Sequence, residues 1–587
     1  MSRSTRRRTT GFAAATALAA ATVWAAGLHQ AGAAEVTGDV QVLAAGPAAA
    51  AALAANQASH DSAEDHTWNE ADVVAVTLTG SGATTTSPNV TVAGSTVTVS
   101  AAGTYRFSGS LTNGQIVVNS TGTGIVRIIL NGVTVANSTS SAVNVIAADE
   151  VQFVLQAAST NRLSDASTYT YPSGVTEPDG ALFSAADTTI TGTGTLNVTG
   201  NAYDGIVAKD GLVIDSATIT VTAKDEAIRG RDYVIVNSGT ITATAGGDGI
   251  KSTNDEDATR GYVSLAGGTV GVTSTGDAVD AVTDVIVSGG TLTTKSGGGS
   301  ATAPGTASTK GLKAGALVVI SDGTNTIDAS DDGINSDANV TIDGGTSTIT
   351  TGDDGVHAET NVTVAGGTTN VSKSVEGVEG LKVYVTGGSI SATASDDAFN
   401  SSDPTATNDM ANSPNALISI TGGTVVVSGG TDGLDSNGAL SITGGTVVVA
   451  GSPTRGGGEG GLDSNGALTI TGGTVISVGL SASTSQLPTA GQAWISYNFS
   501  ANQPAGTVVH IATTAGVQIA SFQATTIFKG LVFSSSQITR GTSYAIRTGG
   551  TVSGTAVGGN LYTGGTLSGT QVGTVTAGTS TASTTRG

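Results

Sequence analysis

The feature that most constrains this chain is a unit of about 22 residues that recurs eleven times between Tyr203 and Gly479. Each copy opens on an acidic-Gly-apolar corner, and most carry a Gly-Gly-Thr corner halfway round. Asp332-Gly333-Ile334, Asp354-Gly355-Val356 and Glu376-Gly377-Val378 show the corner most clearly, with Gly311, Gly333, Gly355 and Gly377 spaced by 22. Between corners the residues alternate with the period of a strand, as in Val340-Thr341-Ile342 and Thr348-Ile349-Thr350. A unit this short cannot bury its own apolar face, so successive copies must stack and share one core. The predicted fold is therefore all-β: a parallel β-helix over residues 67–485 followed by a small C-terminal β cap. The recurring corner glycines are expected to hold a left-handed or tight turn.

Departures from the repeat are insertions. They fall at Thr253 to Gly261, Ser296 to Thr309, Ser402 to Asn415 and Gly451 to Gly460, with a further loop from Ser164 to Asp179. All lie beside the acidic corner, which predicts a lip along one face, the usual binding face of a solenoid.

Residues 1–34 read as a secretion signal: Arg3, Arg6, Arg7 and Arg8, then the apolar stretch Gly11 to Leu28, then the small residues Ala31-Gly32-Ala33. Residues 35–66 read as an Ala-rich linker, Asp72 to Ser100 as a cover for the first coil, and 486–587 as the cap with a mobile Gly/Thr tail. Cap strands are expected at Ala493 to Phe499, Thr507 to Ile511, Val517 to Phe522, Ile527 to Phe533 and Ser543 to Arg547. An extracellular chain with no cysteine must be stapled by something other than disulfides.

Charge points to the staple. Of 23 Lys and Arg, four lie in the leader, so the exported chain carries about 19 against 45 Asp and Glu. That balance disfavours nucleic acid and anionic membranes as partners. Asp248, Asp277, Asp332, Asp354, Glu376, Asp397 and Asp432 stand just before the corner Gly or Ala, and Asp331, Asp353 and Asp396 precede three of them. Alternation turns the residue after the inward apolar position outward, giving a second ladder of Asp280, Asn335, His357, Glu379, Asn400 and Asp435, with Arg229, Lys251 and Lys313 in the same position. Carboxylates one coil apart, about 4.8 Å, repel by roughly 3–4 kcal/mol per pair at an effective dielectric of 20. Calcium, which takes hard oxygens at about 2.3–2.6 Å, fits between them. The plainer reading is turn chemistry, with each Asp bonding a nearby backbone amide. Asp255-Glu256-Asp257 lacks the rest of an EF-hand loop, and His60, His66, His357 and His510 lack zinc spacing.

Several phrases together resemble a known family. They are Ala102-Gly103-Thr104-Tyr105-Arg106-Phe107-Ser108-Gly109, Asp204-Gly205-Ile206-Val207-Ala208-Lys209-Asp210, Ala227-Ile228-Arg229-Gly230-Arg231-Asp232 and Leu561-Tyr562-Thr563-Gly564-Gly565-Thr566. The chain is similar to secreted bacterial carbohydrate-binding proteins with a calcium-containing right-handed parallel β-helix, which bind cellulose and acidic plant polysaccharides. The resemblance spans about residues 70–575 and implies right-handed winding, calcium and glycan binding. The expected function is that of a secreted, monomeric, calcium-dependent polysaccharide binder without catalysis. An acidic, pectin-like glycan is favoured over cellulose because outward aromatics are few. Arg229, Lys251, Lys313, Asn335, His357 and Asn400 are the candidate ligand contacts. Two alternatives stay open: a pectate-lyase-like enzyme using calcium and a Lys or Arg base, and a structural adhesin.

Overall fold

The computed structural model is described over residues 49–578, except 407, 409–410, 455–459 and 481–485. The predicted leader, the start of the linker and the middle of the Gly451 to Gly460 insertion lie outside the described residues. The described residues belong to one compact unit, Ala45–Gly587, and the fold is all-β, with 54% strand and 3% helix.

Each repeat forms three strands. In one coil a short corner strand (Ile228–Gly230) is followed by a middle strand (Tyr233–Val236) and a third strand (Thr240–Ala245). Each pairs in parallel with its equivalent in the next coil: Ile228 with Ile250, Val234 with Val263, Ile241 with Val270. The result is a long stack of parallel rungs. Inward residues of the corner strands, Ile228, Ile250, Val279, Leu312, Ile334, Val356, Val378 and Phe399, are fully buried and form one continuous core with the other two strands.

The two corners use glycine for different reasons. The left-handed position is the second glycine of the halfway corner, with φ of 70° at Gly345, 67° at Gly367 and 78° at Gly445. The expectation of a left-handed acidic corner is corrected, since Gly333, Gly355 and Gly377 do not have positive φ. They are glycine because space is short. A Cβ at Gly355 would sit 2.4 Å from the Gly377 carbonyl oxygen and 2.5 Å from Val371 Cγ1.

Both ends of the stack are covered. Val74–Gly80 pairs with Gly103–Leu111, and Thr96–Val99 with Gln115–Asn119, giving a first rung. At the other end Phe528–Ser534 runs antiparallel to Thr474–Gly479 and to Trp494–Gln503, so the last third strand does not present a bare edge. The expected cap strands are present within two residues, except that the first runs four residues farther, to Gln503, and Gly506, Gly516 and Gly541 turn with φ of 85°, 88° and 77°. The stretch expected to be mobile instead forms strands at Thr555–Gly558, Leu561–Thr563 and Thr570–Thr576 within a six-stranded sheet.

The described part of the expected linker is a strap. The helix Ala49–Ala55 packs Ala49 and Ala52 on Ile286 and Val319. The chain then runs toward the first rung: Asn56 Nδ2 donates to Asp284 (2.8 Å), Tyr262 OH to the Gln57 carbonyl (2.8 Å), and His60 meets Tyr233 OH (2.8 Å). Trp68 lies 5.1 Å from the buried Arg127 guanidinium, and Glu70 pairs with Arg106 at 2.8 Å. The physical reason is the outward row of the middle strands. Val213, Ile235, Ile286 and Val319, interrupted only by Ser264, are apolar on a face that would otherwise be wet, whereas beyond Val319 the same position holds Thr341 and Thr363. Leu53→Ser, which removes a side chain packed between the Tyr233–Tyr262 and Ile286–Val319 clusters, is expected to destabilise by about 1–2 kcal/mol, measured by thermal unfolding.

Candidate functional site

Each corner strand is three residues long in most coils, buried at its ends and half-exposed in the middle. The middle residues fall in one register: Arg229, Lys251, Asp280, Lys313, Asn335, His357, Glu379, Asn400, Asp435 and Asp463. All six expected ligand contacts, with Asp280, Glu379 and Asp435, therefore stand in a single row. The insertions bracket it. Those at 164–179, 296–309 and 451–460 precede a corner strand, while those at 253–261 and 402–415 follow one. The expected single lip is thus two, because both turns flanking so short a strand can lengthen without disturbing the core.

The acids before the corner form an inner ladder with a fixed division of labour. One carboxylate oxygen accepts the backbone amide of the equivalent residue one coil on. Asp204 takes Glu226 N at 3.2 Å, Asp248 takes Asp277 N at 2.8 Å, Asp277 takes Lys310 N at 2.6 Å, and Asp332 takes Asp354 N at 3.2 Å. Asp354 takes Glu376 N at 3.3 Å and Asp397 takes Asp432 N at 2.7 Å. These bonds tie coil to coil through side chains, in addition to the strand ladders.

The second oxygen meets a cation, and in the first half of the stack the chain supplies it. Arg229 bridges Asp204 and Asp179 at 2.6 Å each. Lys251 lies 2.6 Å from Asp248, 3.3 Å from Glu226 and 3.6 Å from Asp280, and Lys313 lies 3.2 Å from Asp277 and 3.1 Å from Asp280. Lys310, which replaces the usual acid before Gly311, reaches Asp332 (2.5 Å) and Asp331 (3.2 Å). Burial works against these charges, but the carboxylates outweigh it and hold Lys251, Lys310 and Lys313 above the usual lysine range. Asp248, Asp277 and Asp280 converge as a metal site would, yet Lys251 and Lys313 already pair with all three.

Farther along the row the balance changes. Asp354 bonds His357 Nδ1 at 3.2 Å, and Glu379 lies 3.6 Å from the same nitrogen. Burial alone would neutralise that imidazole, but Asp354, Glu379 and Asp332 raise its pKa to about 9, so it is cationic at neutral pH. Glu376 is pushed up to about 11 by burial and by Asp354, Glu379 and Asp396, and Glu379 to about 7 by burial and Asp354. Asp432 is pushed up to about 9, by burial first and then by Asp397, Asp435 and Asp463. Asn400 Nδ2 reaches Glu379 at 3.5 Å. Nearer the middle, Asp331, Asp332 and Asp353 bring three carboxylate oxygens within 4.8 Å of one another. Asp331 Oδ1 is buried there without a hydrogen-bond partner.

The crowded buried carboxylates around Glu376, Glu379 and Asp432 fit a hard divalent cation by donor chemistry, whereas at Asp331, Asp332 and Asp353 Lys310 already meets two of the three carboxylates and only Asp331 Oδ1 is left over. Lys310 and Asp179, not among the expected site residues, are the partners sequence reasoning missed. Lys310 was legible as the one basic residue in the acidic column.

A family model described as carbohydrate-binding domain-containing protein matches residues 93–355 and 353–483. A carbohydrate-binding domain-containing protein of Acetivibrio thermocellus is 32% identical over 128 residues, 22% of this chain and 45% of that protein. The match thus spans less than half of that relative. Among solved structures, the chain is similar to a polysaccharide lyase-like protein from C. thermocellum, a gadolinium derivative. The identity is 30% and the TM-score 0.38, over 38% of this chain and 92% of that one.

Proposed function

The chain belongs to the carbohydrate-binding domain-containing proteins, and from that membership we propose that it is a secreted, calcium-dependent binder of acidic polysaccharide that does not cleave its ligand. The observation that carries the reading is the crowding of Glu376 and Glu379 against Asp354 and Asp396, where burial and repulsion push Glu376 up to about 11 and Glu379 to about 7. Calcium bound by Glu376, Glu379, Asp396 and Asp397, by Asp432 and Asp435, or by Asp331, Asp332 and Asp353 would offset the crowding of negative charge and leave coordination positions for a uronate carboxylate. Right-handed winding of the coils accords with the general preference of parallel crossovers.

The bracketed row of corner residues would receive the glycan. Asn335, His357 and Asn400 offer polar contacts along it, and the partly exposed Arg229, Lys251 and Lys313, each already paired with carboxylates, add N–H donors at one end. Among the described residues no helix is long and apolar enough to cross a membrane. The lyase reading requires a base that gives up its proton near neutral pH. Lys251 and Lys313 are shifted the opposite way, each held charged by carboxylates.

The test is a panel of neutral and acidic polysaccharides, probed with calcium and with chelator, while absorbance of unsaturated sugar is followed. Calcium-dependent retention of polygalacturonate without product is expected. Product that disappears in Lys251→Ala with binding intact would establish the lyase, and no binding to any glycan would favour the adhesin.

A further inference from the structure

Three of the chain's 10 tyrosines meet at one end of the bracketed row, where the insertion Ser164 to Asp179 folds against the first regular corner. Tyr169 is buried, its hydroxyl donating to Asp165 Oδ2 at 2.9 Å and the Gly180 carbonyl at 3.1 Å. Its ring centroid lies 5.8 Å from Tyr171 and 5.5 Å from Tyr203, the latter nearly perpendicular at 84°. Tyr171 OH donates to the Pro178 carbonyl at 2.6 Å. Tyr203 is 39% exposed.

The turn that carries Tyr203 is clamped. Asn201 N donates to Asp165 Oδ1 at 2.5 Å, and Asn201 Nδ2 donates to Ser164 Oγ at 3.1 Å and the Asp165 carbonyl at 3.0 Å. Tyr203 immediately precedes Asp204, which Arg229 and the Glu226 amide both hold. An isolated exposed tyrosine on a large protein needs no explanation. This one differs because two further rings and a hydrogen-bonded turn fix it at the edge of the glycan row, in a chain with 4% aromatic residues. Edge-to-face packing against Tyr169 fixes the ring's angle while part of it stays open to solvent.

We propose that Tyr203 is a stacking platform for one pyranose ring of a polysaccharide, backed by Tyr169 and bordered by Tyr171. The axial C–H groups of a pyranose carry partial positive charge and are attracted to the negative face of an aromatic ring. A ring already immobilised loses little conformational entropy on binding. The ion pair between Glu177 of the same insertion and Lys209, just after the strand Asp204–Ala208, supplies polar groups for ring hydroxyls. This inference rests on the glycan-binding reading and deepens it. Stacking needs no uronate and no cation, so this end of the row takes neutral pyranose units independently of calcium.

The test measures affinity for hydroxyethylcellulose in chelator and for polygalacturonate in calcium, using wild type and Tyr203→Ala, Tyr203→Leu and Tyr203→Phe. Leucine keeps apolar bulk without an aromatic face, and melting temperatures establish that each variant is folded. Alanine and leucine are expected to weaken hydroxyethylcellulose binding by about tenfold or more, the size of an aromatic hot spot, with phenylalanine retaining it within about threefold. Alanine and leucine variants that bind like wild type would overturn the proposal. Failure of wild type to bind hydroxyethylcellulose would also overturn it, while leaving calcium-dependent binding of polygalacturonate untouched. Failure of wild type on both probes would overturn the glycan-binding reading as well.

Discussion

Removing calcium is expected to lower the melting temperature of this protein by on the order of 5–10 °C. A cation that binds only the stacked coils stabilises them by RT ln(1 + [L]/Kd), about 4 kcal/mol at a thousandfold excess. Glu376→Gln separates this account from ordinary destabilisation. Crowding by Asp354, Glu379 and Asp396 forces Glu376 to take up a proton on folding, so a glutamine, which needs none, should raise the melting temperature in chelator while shrinking the gain on adding calcium. Asp354→Asn should likewise reduce the calcium response, although it also weakens the bond from the Glu376 amide. Asp215→Asn, whose carboxylate instead accepts the Ser238 hydroxyl away from the corner, should leave the response unchanged. Calorimetry of these variants with and without calcium provides the measurement.

A second large effect is expected from pH. Folding raises the pKa of Glu379 to about 7, Asp432 and His357 to about 9 and Glu376 to about 11. Each group binds its proton more tightly in the folded chain than in the unfolded one, so stability falls as pH rises through the interval between the two values. For the carboxyls that interval opens near pH 4, and for His357 near 6.5. In chelator, stability should therefore decline between about pH 5 and 8, by roughly 1.4 kcal/mol per pH unit for each proton released. Asp354, which burial would raise but His357 and Glu376 together hold well below the usual carboxylate range, acts in the opposite sense only in stronger acid. Saturating calcium should flatten the decline, since the metal replaces the protons. Urea unfolding across this range, in chelator and in calcium, tests both parts.

The coil was legible in the sequence because its signals are local and repeated. The spacing of Gly311, Gly333, Gly355 and Gly377 gave the rung, and alternation after each corner placed Lys313, Asn335, His357 and Glu379 in one outward row. What was harder to read depends on contacts between distant segments. The docking of residues 49–72 across nine rungs had an available sign, the unbroken apolar middle strands Leu212-Val213-Ile214 and Leu317-Val318-Val319-Ile320, which indicate burial on both faces. Their partner lay more than 150 residues away: Asn56 bonds Asp284 and His60 bonds Tyr233.

The acidic column shows a different limit. Its geometry was readable, but which acids are satisfied depends on how far a side chain reaches. Lys251 and Lys313 lean back to Asp248 and Asp277 while also holding Asp280. The same residue types that signalled a metal ladder are thus neutralised internally in one half and crowded in the other. The tail after Thr551 was obscured by composition. Its Gly and Thr content resembles a linker, yet Tyr544 and Ile546 supply a strand for Thr570–Thr576 to pair with.

The central claim is tested most directly by equilibrium binding of polygalacturonate at neutral pH and constant ionic strength as free calcium is varied. The account predicts affinity that rises with calcium, falls by about tenfold or more in chelator, and loses its calcium dependence in the Glu376→Gln, Glu379→Gln double variant. Affinity that is the same with calcium and with chelator, in a protein that binds the polymer, would contradict it.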